Sequence, residues 1–481
     1  MANNNVPDAT LNKNQIPFSQ KVAFGVGMLA NQMFPAALGI FMVILVQSLG
    51  MSPVLWGLIF FIPKLVDAIT DPLMGFISDR TVSRWGKRRP YVFIGAIIAG
   101  LSYMMMWQLS AENSEMYNFY YFLGWSCIFF VGMTVFSVPY VAMGYEMSGD
   151  FHERTRLMAV AQWIGQWAWV IAPWFWIVLY DPDWFASATE GARYLSIWVG
   201  GVCMVLALVP AFFCTYTNTE ASDDQQAAEQ KSFKETMAEF VQGIVITLRN
   251  KPFQKICMAT FLIFNAFNMV AGFSWFIIVY YMNGGDPGQA GTWPTLFGSI
   301  SALCTCFLVI PIVNWFSQKF GKRSAFLYSQ SISILGYCMF WWSFSPENPW
   351  LMFVPIPLYA FGIGGLFTIM MSMTADICDM DELETGQRRE GTFGAIYWWM
   401  IKFGLAFAGL ASGLILSMIG FDNSVAVQTE ETLTQLRFAF IGVPIVGTLT
   451  AIFVMRNYDL DENRSNEIRA ALNLRAEAVS A

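Results

Sequence analysis

The sequence predicts an all-helical membrane protein with twelve spanning helices in two sets of six. Three observations predict it. The 481-residue chain is 56% hydrophobic and only 13% charged, where about 25% charged is usual for a soluble protein. Its apolar residues gather into twelve runs, each near the roughly 20 residues that cross a bilayer as a helix. Lys and Arg crowd the spacers after every second run, the pattern that fixes orientation in a membrane.

The runs are approximately 22–47, 53–78, 90–110, 119–146, 157–180, 194–216, 255–282, 293–316, 324–344, 350–375, 393–419 and 437–456. The spacers after even-numbered runs hold, in turn, Arg80, Arg84, Lys87, Arg88 and Arg89; Arg154 and Arg156; Lys231, Lys234, Arg249, Lys251 and Lys255; Lys319, Lys322 and Arg323; and Arg388 and Arg389. Those after odd-numbered runs hold only Arg193 and Arg437. This alternation sets both termini on the cytoplasmic side of a plasma membrane, expected to be a bacterial inner membrane. The polar first 20 residues lack the basic-then-apolar pattern of a signal peptide, so the first run is expected to be kept as a span. The chain then divides into an N-terminal six-helix bundle (1–216), a cytoplasmic linker with a surface helix near 232–248 (217–254), a C-terminal six-helix bundle (255–456) and a cytoplasmic tail (457–481).

The halves echo each other. Gly86-Lys87-Arg88-Arg89 after the second run recurs as Gly321-Lys322-Arg323-Ser324 after the eighth, 235 residues on, and Arg154 falls opposite Arg389 at the same offset. Two six-helix repeats in parallel orientation are the architecture of the major facilitator superfamily. In that architecture substrate binds near the midplane between the halves, and rocking gives alternating access.

Several classes are excluded. A single histidine, His152, argues against haem, zinc or histidine-based catalysis, and the eight scattered cysteines read as free thiols packed in helices. There is no metalloprotease motif, nucleophile elbow or phosphate-binding glycine loop, so no enzyme, cofactor or nucleic-acid partner is expected. The 25 residues after Arg456 offer no soluble signalling domain for a receptor. A monomer is expected.

Charge within a membrane span is expensive and marks function. In the stretch KLVDAITDPLMGFISDRTVSRWGKRRP, Lys64, Asp67 and Asp71 are three and four residues apart, which puts them on one helix face. Two carboxylates there must take a proton, pair with Lys64 or bind a cation. Oxygen ligands suit a hard ion such as Na⁺, and Thr70 can add a hydroxyl. A buried Lys64–Asp67 ion pair alone is the plainer alternative. Lys402 is the other basic residue within a span, and Trp398 lies one turn from it, between Tyr397 and Trp399. Aromatic faces stack on sugar rings. Gln162, Trp163, Gln166 and Trp167 make two pairs one turn apart, with sugar contact and plain packing both open.

Those residues carry a resemblance. The stretch at 64–90, together with ADICDMDELETGQRREGTFGAIYWWMIKFG (375–404) and SGDFHERTRL (148–157), resembles signatures of the glycoside–pentoside–hexuronide:cation symporters. The resemblance implies that Asp67 and Asp71 are the cation-binding aspartates, that Thr70 stands at an asparagine ligand, and that Thr134 is a ligand threonine. Lys402 matches a lysine near both the cation and sugar sites.

The sugar site departs from that of the melibiose permease, a member of that family. Alignment puts Asn31 and Gln32 where that protein has a lysine and a sugar-binding aspartate, Ser137 at its second such aspartate, and Gln162 at its sugar-binding arginine. A pocket of Gln32, Ser137, Gln162 and Lys402 carries one positive charge unless the aspartates neutralise Lys402. Neutral glycosides stay open, and so does an anionic one such as a uronide or sulfonated glycoside. In the loops, Arg84, Lys87, Arg88 and Arg89 can pair with acidic groups at Glu146, Asp150, Asp376, Asp379 and Glu382, forming a gate between halves built of individually weak pairs. The expected function is cation-coupled import of a sugar or glycoside with Na⁺. Proton coupling is the alternative, and a lysolipid substrate, as in vertebrate relatives of the family, is a third.

Overall fold

The structure is a computed structural model. It describes residues 16–214 and 249–480, apart from 80, 82, 148–150, 386–389, 423, 424, 426 and 461, together with 238, 241, 242 and 245. Most of the expected linker, its surface helix, Arg80, Asp150, Arg388 and Arg389 lie outside the described residues.

All twelve apolar runs are helical. The first half holds α1 (Phe18–Phe41), α2 (Pro53–Asp79), α3 (Arg89–Met106), α4 (Glu115–Glu146), α5 (Phe151–Ile171) and α6 (Ala188–Phe213). The second holds α7 (Lys251–Phe276), α8 (Trp293–Leu303, resumed as Ile310–Phe320), α9 (Lys322–Ser343), α10 (Ile356–Gly365, resumed as Met371–Thr385), α11 (Glu390–Met418) and α12 (Glu430–Met455). A further helix, α13 (Glu462–Ser480), follows. By length and composition, nine of the described helices can cross a membrane unaided. The other three are α5, which is polar and interrupted at Ala172–Trp174; α9, with serines along its length; and α10, broken by a π-helical turn at Leu366–Met370.

Local chemistry sets the helix starts. The side chains of Ser114, Ser187, Asn250 and Thr429 each accept a hydrogen bond from a backbone N–H in the first turn of α4, α6, α7 and α12. Such caps satisfy donors that a helix start leaves unpaired. Pro90 occupies the first turn of α3, where its missing N–H costs nothing.

The described residues form two compact units, Met1–Ile44 with Leu65–Phe233, and Leu45–Lys64 with Lys234–Ala481. Helix α2 is therefore shared, its first half counted with the second unit. Within the first unit, α1 packs on α5 and α6, and α3 on α4 and α6. Within the second, α7 packs on α11 and α12, and α9 on α10 and α12. Six positions on, the pairing is the same, so the repeat legible in the loops extends to the helix packing.

Glycine makes the tightest of these crossings. A β-carbon at Gly95 of α3 would lie 2.3 Å from the Phe136 nitrogen of α4, and one at Gly336 of α9 would lie 2.4 Å from the Tyr359 nitrogen of α10. Backbone meets backbone at both, as small residues allow in membrane helices. In the second unit, Gly413 of α11 admits the start of α2: its β-carbon would lie 2.2 Å from the Pro53 carbonyl oxygen. The tail expected after 456 is not free of the fold, because α13 packs on α10 and Ile468 joins the buried core beside Tyr458 and Ile377.

Since backbone cannot yield as a side-chain tip can, Gly95→Val should destabilise the first unit by about 1–3 kcal/mol or more. A lower melting temperature of purified protein by tryptophan fluorescence checks this, with Gly39→Val, where a β-carbon meets open space, as the control.

Candidate functional site

Helix α2 turns Asp67, Thr70 and Asp71 toward Thr134 of α4. The Thr134 hydroxyl lies 2.9 Å from Asp67 Oδ1, 3.0 Å from Asp71 Oδ1 and 3.1 Å from Thr70 Oγ1. Asp67 and Thr134 are buried, and Thr70 and Asp71 are half-buried. Thr70 also reaches back to the carbonyl oxygens of Val66 at 3.1 Å and Asp67 at 3.3 Å, which fixes its rotamer. Two carboxylate oxygens and the Thr70 hydroxyl oxygen thus meet around the Thr134 hydroxyl. Thr134 has a single proton and can donate to one carboxylate at a time. The set is of hard oxygen donors, chemistry suited to a proton or a hard cation. The four residues that the resemblance grouped as cation ligands are brought together.

A second polar cluster joins α1 and α5. The Trp169 indole N–H donates to Gln32 Oε1 at 2.9 Å, and Gln32 Nε2 donates to Gln162 Oε1 at 2.9 Å. Space for Gln32 exists because residue 165 is glycine: a β-carbon there would lie 2.7 Å from Gln32 Nε2. Gln32 and Gln162, expected in the substrate site, are in direct contact. Trp169 was not among the expected residues. Its signal is spacing: Gln162, Gln166 and Trp169 follow at four and three residues, one strip of a helix.

The other expected substrate residues lie on α2, α4, α5 and α11. Trp163, 58% exposed, stacks edge-on with Trp167 at 6.2 Å between ring centres. With Trp174 they form a separate strip, roughly 120° around α5 from the glutamines. Ser137 is half-buried one turn past Thr134. Lys64 is half-buried one turn before Asp67. On α11, Lys402 is half-buried and Trp398 is 47% exposed.

The charged loops pair within their own units. Buried Arg88 grips Glu146 Oε1 through Nε at 3.1 Å and Nη2 at 2.7 Å, and Ser78 Oγ through Nη1 at 2.6 Å. Lys87 adds a contact to Glu146 at 3.5 Å. Arg89 donates to the Cys214 carbonyl, and Arg84 is exposed. In the second unit Lys322 holds buried Asp376 at 2.5 Å. Asp379 is half-buried on α10. A buried guanidinium needs a carboxylate at hand, and the end of α4 supplies one to the start of α3. The pair Arg88–Glu146 lies inside the first unit and the pair Lys322–Asp376 inside the second.

Twelve helices in two repeated sets of six, with carboxylates and amides in the spans, define a transporter of the major facilitator class, not an enzyme. Residues 23–462 match the model of the MFS/sugar transport protein family, and the chain belongs to that family. It is 23% identical over 463 residues to the isoprimeverose transporter of Lactiplantibacillus pentosus, covering 95% of this chain and 91% of that protein. It is 23% identical to the glucuronide carrier protein homolog of Escherichia coli (strain K12), covering 94% and 95%. The sodium-dependent lysophosphatidylcholine symporter 1 of Mus musculus is 23% identical, covering 97% and 90%. In fold, the chain is similar to a crystal structure of a mutant nucleoside transporter NupG, with a TM-score of 0.67 at 13% identity, covering 90% and 99%.

One ionic tie at the start of α5 has a pH signature. Buried Glu153 accepts from Lys21 Nζ at 2.8 Å, Arg156 Nη1 at 2.8 Å and the Ile16 N–H at 3.3 Å. The Lys21 hydrogen bond, helped by Arg156 and Ile16 and opposed by burial, holds its carboxyl below the ordinary 4.5. A depressed folded pKa adds stability above the ordinary carboxylate range, and that stability is lost as pH falls through the depressed value. Glu153→Gln should therefore melt below wild type by a constant margin at pH 6–8, and the margin should shrink below about pH 4.5.

Proposed function

We propose that the chain is a cation-coupled symporter that takes up a sugar or glycoside, with Na⁺ as the coupling ion. The observation that carries this is the oxygen cluster of Asp67, Thr70, Asp71 and Thr134, which has the hard donor set that a coupling cation answers. Gln32 and Gln162 of the first unit form part of the substrate site, with Lys402 and Ser137 assigned by the resemblance and Trp398 and Lys64 by their helical spacing from Lys402 and Asp67. Relatives named for isoprimeverose and glucuronide support a glycoside, and the glucuronide relative and Lys402 favour an anionic one. Binding of cation and substrate to coupled sites raises the affinity for each by the same factor. The Lys and Arg alternation supports both termini in the cytoplasm and a bacterial inner membrane.

A second reading rests on the match to a sodium-dependent lysophosphatidylcholine symporter along 97% of this chain. It shares the cation and replaces the glycoside with a lysolipid.

Purified protein in liposomes tests these readings. An inward Na⁺ gradient should drive accumulation of a glycoside, and Asp71→Asn should abolish it. Thr134→Ala removes one oxygen ligand from the proposed cation site, so half-saturation by Na⁺ should rise by about tenfold or more, as a loss of about 1.4 kcal/mol would give. Gradient-independent accumulation with Asp67→Ala at full activity would sink the proposal. Accumulation driven by a pH gradient without Na⁺ would replace Na⁺ by H⁺. Uptake of lysophosphatidylcholine but of no glycoside would favour the second reading.

A further inference from the structure

The Trp169–Gln32–Gln162 chain has a direction. An indole N–H only donates. Gln32 must therefore turn its oxygen toward Trp169, which leaves its amide nitrogen facing Gln162. Gln162 must then turn its own oxygen toward Gln32, and its NH₂ group points away from the chain. Flipping either amide would set two donors against each other, so the orientation follows from Trp169 and not from the assignment of amide atoms. Among the described residues, the Gln162 NH₂ group makes no hydrogen bond, and its side chain is exposed.

That exposure is not to lipid. Gln162 lies six residues past Arg156, roughly 9 Å along the helix and inside the span that begins near residue 157. An amide bared to hydrocarbon at such a depth costs several kcal/mol, so this strip faces a water-filled path.

We propose that Trp169 acts as a positioning residue that sets the hydrogen-bond polarity of the substrate site, so that Gln162 presents donors and selects glycosides bearing an acceptor, above all a carboxylate, where they meet it. This rests on the reading of the chain as a glycoside symporter. It adds a specificity device that does not depend on the charge of Lys402. Phenylalanine at position 169 would keep the ring and lose the donor. Both amides could then flip, and the site would accept donor or acceptor alike. Glutamate at position 162 would turn the exposed end into an acceptor.

The test is the ratio of initial uptake rates in proteoliposomes for methyl β-D-glucuronide and methyl 6-amino-6-deoxy-β-D-glucoside, with methyl β-D-glucoside as the reference. Wild type should favour the glucuronide over the amino sugar by at least about tenfold. Trp169→Phe should narrow the ratio to within about threefold. Gln162→Glu, which spares the indole if loss of Trp169 impairs folding, should invert it. A ratio in Trp169→Phe within twofold of wild type, as charge selection by Lys402 alone would give, overturns the inference and leaves the proposed function standing. A wild type that favours the amino sugar also overturns it. Uptake of none of the three by wild type overturns the proposed function and this inference with it.

Discussion

The Thr134 hydroxyl lies within 3.0 Å of both carboxylates of α2, and much of the first unit is arranged so that this can be so. Two acids in a spanning helix are tolerable only if another helix brings polar atoms to them and lipid is kept away. Helix α4 does the first. It is held close to α3 by Gly95, where the two backbones touch without side chains between them. A bulkier residue at that crossing would shift α4, and with it the oxygen that the two carboxylates share.

The same economy governs the amides. Gln32 of α1 reaches α5 because Gly165 leaves room for it, and the hydrogen bonds it makes there run through the face on which the two helices pack. Polar groups within the spans are thus paired side by side, and the chain ends in the donors of Gln162. The tryptophans of α5 divide accordingly. Trp169 is tied to the amide chain, whereas Trp163 and Trp167 pack on each other on another strip.

Toward the basic ends of the helices, the charges pair locally. Arg88 with Glu146 joins the start of α3 to the end of α4, Lys322 with Asp376 does the like for α9 and α10, and Lys21 with Glu153 joins α1 to α5. Each pair connects helices that also pack along their length. The ties therefore brace each unit from within, and the repeat of the first pair in the second half matches the repeat of the helix pairing.

The sequence by itself determined the helix count, the internal repeat and the family. These are written in run length, in loop charge and in motifs that survive without three-dimensional information. It also marked Asp67, Thr70 and Asp71, because spacings of three and four fix a shared face on any helix. Other features were decided only by the tertiary structure. Which carboxylate Arg88 takes depends on which helix end lies nearest, and loop charge has no address. Whether the Gln162–Trp169 strip or the Trp163–Trp167 strip of α5 meets α1 depends on how α5 is rotated against α1, and the sequence of α5 suits either rotation. The contact of Gln32 with Gln162 spans 130 residues. A glycine at 165 permits it, but no local pattern announces a space that a helix from elsewhere in the chain will fill.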